Sequence, residues 1–180
     1  KGTIKAIRGV PGLFALIFFT TFNNFLGGVF MALMDAYGLS LVPVQVWGTM
    51  WGILSCGFIL SGLYIAKKGL GPKPLNKLFA INIITWTTCI FFVIQPNIWL
   101  LATGILIWVF CMPFIEATEQ TIVQRVVPLE RQGRVFGFAQ SVEMSASPVT
   151  AFLIGPIAQF IFIPFMTTGA GVQLLGPWFG

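Results

Sequence analysis

The ten Lys and Arg residues fall into three short clusters separated by long uncharged apolar stretches. Lys1, Lys5 and Arg8 form the first cluster. Lys67, Lys68, Lys73 and Lys77 form the second, and Arg125, Arg131 and Arg134 the third. Each gap holds an even number of hydrophobic segments, so a chain threaded through an apolar slab returns to the same side at every cluster. That is the positive-inside pattern of an all-α polytopic membrane protein. The spacing predicts the topology before any motif is read, with all three clusters and the N-terminal end on the cytoplasmic face.

Composition excludes most alternatives. Hydrophobic residues make up 57% of the chain and charged residues 8%, whereas a soluble domain carries about a quarter charged residues. The net charge of +5 does not point to nucleic acid as a partner, because the basic residues flank apolar spans and form no continuous face. Cys56, Cys89 and Cys111 each lie inside an apolar segment without a metal-ligand spacing and read as small hydrophobes. There is no His, which removes the commonest general base and metal ligand. The sequence therefore predicts no metal site, no cofactor and no enzyme activity. The first apolar segment is too long for the core of a signal peptide. With no initiator Met and no polar tail, the chain reads as a piece of a longer protein.

A spanning helix needs about 20 mainly apolar residues. Windows at about 12–34, 44–66, 78–95, 98–127 and 135–159 meet that requirement, so five spans are expected. Residues 160–180 are apolar but broken by Pro164, Gly169, Gly171, Gly176 and Pro177. They read as an external tail, interfacial or partly re-entrant, with Trp178 at headgroup level. Small residues recur every four positions at Gly48, Gly52 and Cys56, and at Gly133, Gly137, Ser141 and Ser145. Such stripes predict close helix packing in lipid, or sliding between conformations.

The informative residues are polar groups inside the spans, where an ionisable side chain costs about 2.5–3.5 kcal/mol by insertion scales. Glu116, Glu119 and Glu143 are the candidates. At 1.5 Å rise per residue, Glu116 and Glu143 lie about 13–16 Å from the cytoplasmic helix ends, and Glu119 sits one turn nearer the cytoplasm on the Glu116 face. Two acids facing each other would suit proton coupling. Alternatively, Glu116 or Glu119 pairs with Arg125 or Arg134 and locks the cytoplasmic end. Glu143 has no basic residue within two turns on its own helix, which favours a functional role. Thr20, Thr21, Asn23 and Asn24 form a polar band that either bonds between helices or lines a substrate path. Trp51 lies deeper than headgroup level and could stack on a flat or cationic ligand.

The segment Val127-Pro128-Leu129-Glu130-Arg131-Gln132-Gly133-Arg134-Val135-Phe136-Gly137 resembles the link between the tenth and eleventh helices of major facilitator superfamily transporters. It looks most like the bacterial drug-efflux branch that includes macrolide and enterobactin exporters. The runs Glu116-Ala117-Thr118-Glu119-Gln120-Thr121, Gln140-Ser141-Val142-Glu143 and Phe162-Ile163-Pro164-Phe165-Met166-Thr167 are similar to that branch as well. Gly62, Lys67 and Gly69 echo the superfamily's cytoplasmic motif, with Ala66 in place of its acid. Ala151, Gly155 and Pro156 echo its antiporter motif, with Ala for the first Gly.

The resemblance implies helices seven to eleven of a twelve-helix fold, an incomplete C-terminal six-helix lobe. Its partners would be the N-terminal six-helix lobe, a last helix beyond residue 180, the lipid bilayer and a small hydrophobic substrate. The implied activity is multidrug or natural-product efflux across the bacterial inner (plasma) membrane by proton antiport with alternating access. Glu143, Glu116 and Glu119 would be the proton-linked acids, Asn23, Asn24 and Trp51 would line the substrate cavity, and Gly133 and Arg134 would form the cytoplasmic loop motif. A non-transporting scaffold or regulatory subunit is the competing expectation. Its intramembrane acids would be paired and inert.

Overall fold

The computed structural model describes residues 7, 9–167, 169, 171 and 173. Lys1, Lys5, Arg8 and Trp178, which carry the first basic cluster and the end of the expected tail, lie outside the described residues. All regular structure among the described residues is helical: α1 Leu13–Leu41, α2 Val44–Leu54, α3 Cys56–Lys68, α4 Pro74–Phe91, α5 Ile98–Val126, α6 Leu129–Ile157, a π-helical turn Ala158–Phe162 and α7 Ile163–Thr167.

Helix ends follow backbone breakers rather than polarity. α1 was expected to stop near residue 34 but runs to Leu41, because nothing between Met34 and Pro43 interrupts the backbone. Its 29 residues span about 43 Å against a hydrocarbon core of about 30 Å, so its last turns reach beyond the core unless the helix tilts. α2 and α3 form one 25-residue rod, Val44–Lys68. It is tightened at Ser55, where the Phe58 N–H reaches Ser55 O at 3.0 Å and the Ser55 hydroxyl donates to Gly52 O at 2.8 Å. A serine that bonds its own helix in this way loosens the regular ladder without a proline.

α3 stops at Gly69, whose φ of 67° favours glycine and whose N–H closes on Ile65 O at 2.8 Å. Pro74 opens α4 at a first-turn position that needs no N–H. Asn97 caps α5, its Oδ1 accepting from the Trp99 N–H at 2.9 Å. α5 runs through Pro113 to Val126, and Val127 takes the extended conformation that a following Pro128 imposes.

Two expected boundaries are corrected here. The loop expected over 127–134 contracts to Val127 and Pro128, so Gly133 and Arg134 lie in the second turn of α6 rather than in a loop. The break expected near residue 160 is absent. After Pro156 the helix widens into the π-helical turn and stays helical to Thr167, because a π turn can absorb the bond lost near proline without ending the helix.

Among the described residues, four helices are long and apolar enough to cross a membrane: Leu13–Leu41, Val44–Lys68, Ile98–Val126 and Leu129–Thr167. α4 is helical over 18 residues but carries Asn76, Lys77 and Asn82 and does not join that set. Large apolar side chains such as Phe14, Phe18, Ile83 and Phe152 are exposed. Water would penalise that arrangement and lipid welcomes it.

The chain divides into two compact units, one of Gly38–Pro128 and one of Lys1–Tyr37 with Leu129–Gly180. Within Gly38–Pro128, α5 is the central element and packs against α4 and against α3. Leu78, Leu101, Ile105 and Val109 are fully buried. The Phe92 ring occupies the space a side chain on Gly104 would need, and a Cβ on Gly57 would stand 3.1 Å from Val109 Cγ1. Tyr64 meets Phe114 edge-on with ring centroids 5.6 Å apart. The ammonium groups of Lys68 and Lys77 each lie 5.2 Å from a ring centroid, over Tyr64 and Phe114 respectively.

Among the described residues, the expected glycine stripes meet no neighbouring helix. A Cβ on Gly48, Gly52, Gly133 or Gly137 would meet nothing within 4 Å. Close approaches fall at Gly28, Gly38, Gly57 and Gly104. Cys89 and Cys111 are buried as expected, while Cys56 is exposed.

Candidate functional site

In the unit built from Lys1–Tyr37 and Leu129–Gly180, α6 buries Val135, Ala139, Glu143 and Thr150. These positions recur at helical spacing and define its inward stripe. α1 turns in Leu13, Leu16, Ile17 and Thr20. The stripes meet at Glu143, which is 7% exposed. Its Oε1 accepts a hydrogen bond from the Thr20 hydroxyl at 2.7 Å. Glu143 forms no ion pair among the described residues, and its other oxygen has no partner among them.

Further along the same helix pair, Gly28 lets the backbones approach closely. A Cβ there would collide with the Ser147 carbonyl oxygen and stand 2.8 Å from Thr150 Oγ1 and 2.9 Å from Ser147 Cα. Thr150 is held in place by donating to Ala146 O at 2.6 Å. Glu143 is therefore a buried carboxyl gripped by one hydroxyl and set beside a tight helix crossing.

The other expected site residues fall as follows. Glu116 and Glu119 belong to the Gly38–Pro128 unit and Glu143 to the other. Glu116 is exposed and accepts from Gln120 Nε2 at 3.4 Å, one turn along α5, and it has no pairing with Arg125 among the described residues. Glu119 is half-buried. Asn23 and Asn24 donate from Nδ2 back to Phe19 O and Thr20 O of their own helix, at 2.9 and 3.0 Å. Trp51 packs edge-on against Trp47, with centroids 6.1 Å apart. Trp47 is buried and fills the space beside Gly38.

An apolar cavity of about 540 Å³ lies within the Gly38–Pro128 unit, lined by α2 and the start of α5. Gln45 and Thr49 are its polar members, Met50, Ile53 and Trp99 are among its apolar ones, and Trp51 is not among its lining residues. The partner of Glu143 is what the sequence could not supply. Thr20 stands out as polar within an apolar helix, but its bond spans 123 positions of chain.

Long apolar helices packed through glycine contacts, with a carboxyl buried between two of them, define a polytopic membrane protein. Residues 1–151 match the model of the Major Facilitator Superfamily. The chain belongs to that superfamily, a family of transporters. No curated protein and no solved structure matches it.

Proposed function

We propose that this chain is helices seven to eleven of a bacterial plasma-membrane exporter of hydrophobic drugs or natural products, driven by proton antiport. It works with an N-terminal six-helix lobe, and the basic clusters, the N-terminal end included, face the cytoplasm. Two pseudo-symmetric lobes rock about a midplane site, so the substrate sees one side of the membrane at a time. The observation that carries the reading is Glu143: buried, without an ion pair among the described residues, and bonded by a hydroxyl that can serve either protonation state. A carboxyl kept only to pin helices together would be expected beside Lys or Arg. Glu116 and Glu119 are secondary candidates, and the exposed position of Glu116 makes it the weaker of the two as a buried proton carrier. The apolar cavity beside Gln45 supports a hydrophobic substrate.

The test is ethidium efflux, with a panel of fluorescent hydrophobic drugs beside it, in everted vesicles carrying the full-length protein. Gradient-driven transport should fall to background in Glu143→Gln, while exchange of substrate across the membrane without a gradient persists. Efflux indifferent to both the gradient and the substitution refutes proton antiport. No efflux across the panel favours a non-transporting scaffold.

A further inference from the structure

The Thr20 hydroxyl has more acceptors than protons. Its oxygen lies 2.7 Å from Glu143 Oε1, 3.1 Å from Leu16 O and 3.1 Å from Ile17 O. A hydroxyl carries one proton and two lone pairs, and a backbone carbonyl can only accept. Thr20 therefore gives its proton either to its own helix or to Glu143. When the Glu143 carboxyl holds a proton on Oε1, that O–H donates to Thr20, and Thr20 donates to the carbonyls of Leu16 and Ile17. When Glu143 is a carboxylate, Thr20 must turn its proton onto Oε1 and release its own helix. Both arrangements fit the same heavy-atom positions, so neither requires the helices to move.

We propose that Thr20 is a positioning residue for proton exchange, its hydroxyl reversing direction as Glu143 gains or loses its proton. The inference rests on the reading of Glu143 as proton carrier. The balance is simple. The carboxyl O–H bond breaks, the proton passes to a water reaching the site, and the Thr20 proton rotates without leaving its oxygen. Thr20 is 3% exposed, and no other hydrogen-bond donor reaches the Glu143 carboxylate among the described residues.

The remaining charged and titratable groups on the two helices lie far along them. Arg134, Arg131 and Glu130 sit nine or more positions before Glu143 on α6. Asp35 and Tyr37 sit at the opposite end of α1 from Leu13, fifteen and more positions beyond Thr20. The described residues of 158–167 carry no charge. The hydroxyl is thus the local group on which the ionised state depends. A bond to a charged group is roughly twice as strong as a neutral one, so the hydroxyl does not weigh equally on the two protonation states.

The experiment titrates Glu143 directly. Infrared difference spectra of the full-length protein in lipid are recorded across pH, and the carboxylic C=O band is assigned by its absence in Glu143→Gln. Thr20→Val, nearly isosteric but without the hydroxyl, should displace the midpoint of that band, while Thr20→Ser keeps the original midpoint. If Thr20→Val does not accumulate in the membrane, Thr20→Ala is read in its place. A midpoint unmoved by loss of the hydroxyl, or moved equally by Thr20→Ser, overturns the role of Thr20 and leaves Glu143 as proton carrier. A band that never titrates overturns the antiport reading itself.

Discussion

Gly27 and Gly28 are adjacent in α1, yet the structure predicts opposite consequences for adding one methyl group to each. A Cβ on Gly27 meets nothing within 4 Å. Gly27→Ala should therefore stabilise, since Ala is favoured over Gly inside a helix by about 0.8–1 kcal/mol. Gly28→Ala gains the same propensity but places its methyl 2.9 Å from Ser147 Cα and into the Ser147 carbonyl. Those are backbone atoms and cannot rotate away. Restoring an ordinary contact of 3.4 Å requires at least about 0.5 Å more room at Ser147 Cα and about twice that at its carbonyl oxygen, and overpacking of this kind costs about 1–3 kcal/mol. Because the propensity gain is common to both variants, the difference between them isolates the collision at about 1–3 kcal/mol. If the separation is transmitted two turns back to Thr20, its bond to Glu143 lengthens from 2.7 Å towards the outer limit of a hydrogen bond. The assay is equilibrium unfolding of both variants in the same lipid or mixed-micelle system, with gradient-driven transport measured alongside. Equal stabilities for Gly28→Ala and Gly27→Ala would refute the close approach of α1 and α6, and with it the setting proposed for Glu143.

Two further predictions concern the Gly38–Pro128 unit. Gly104→Ala should destabilise by about 1–3 kcal/mol because its methyl would enter the Phe92 ring. Adding Phe92→Ala should cost less in that background than alone, and a double-mutant cycle that comes out additive would contradict the contact. Asn97→Ala should cost about 1 kcal/mol by removing the acceptor for the Trp99 N–H. Hydrogen exchange at the first turn of α5 should rise while the centre of α5 stays protected, and unchanged exchange there would argue against the cap.

The helices were legible because an apolar run of spanning length has few other uses, and the burial of Glu143 was legible because it lies within such a run. Helix ends were less so. Asp35, Tyr37 and Ser40 look like loop residues, and so do Arg131 to Arg134, yet polar side chains at a helix end can reach the interface without ending the helix. Pro43 and Pro128 fixed the real boundaries, together with the positive φ of Gly69. Glycine spacing left the contacts undetermined for a different reason. A stripe of small residues says that a helix could be approached, while the partner's own shape decides whether it is, and Gly48 and Gly137 face open space where Gly28 and Gly104 do not. The Thr20 bond belongs to the same class of information, a contact between distant stretches that no local pattern encodes.

The polar side chains of α1 have a consequence for how such a protein enters a membrane. Thr20, Thr21, Asn23 and Asn24 each reach a carbonyl one turn back in their own helix, and Thr88, Thr103, Thr121 and Ser141 do the same elsewhere. Each of these donors brings its acceptor with it. A helix of this kind can leave the insertion machinery alone, before any neighbour exists, without exposing those donors unpaired to hydrocarbon. It can also turn about its axis in lipid afterwards and keep the same bonds. Glu143 is the exception, since its bonded oxygen finds its partner on another helix. Its burial must wait until α1 and α6 have met, so in biogenesis the group proposed to move protons is among the last to be enclosed.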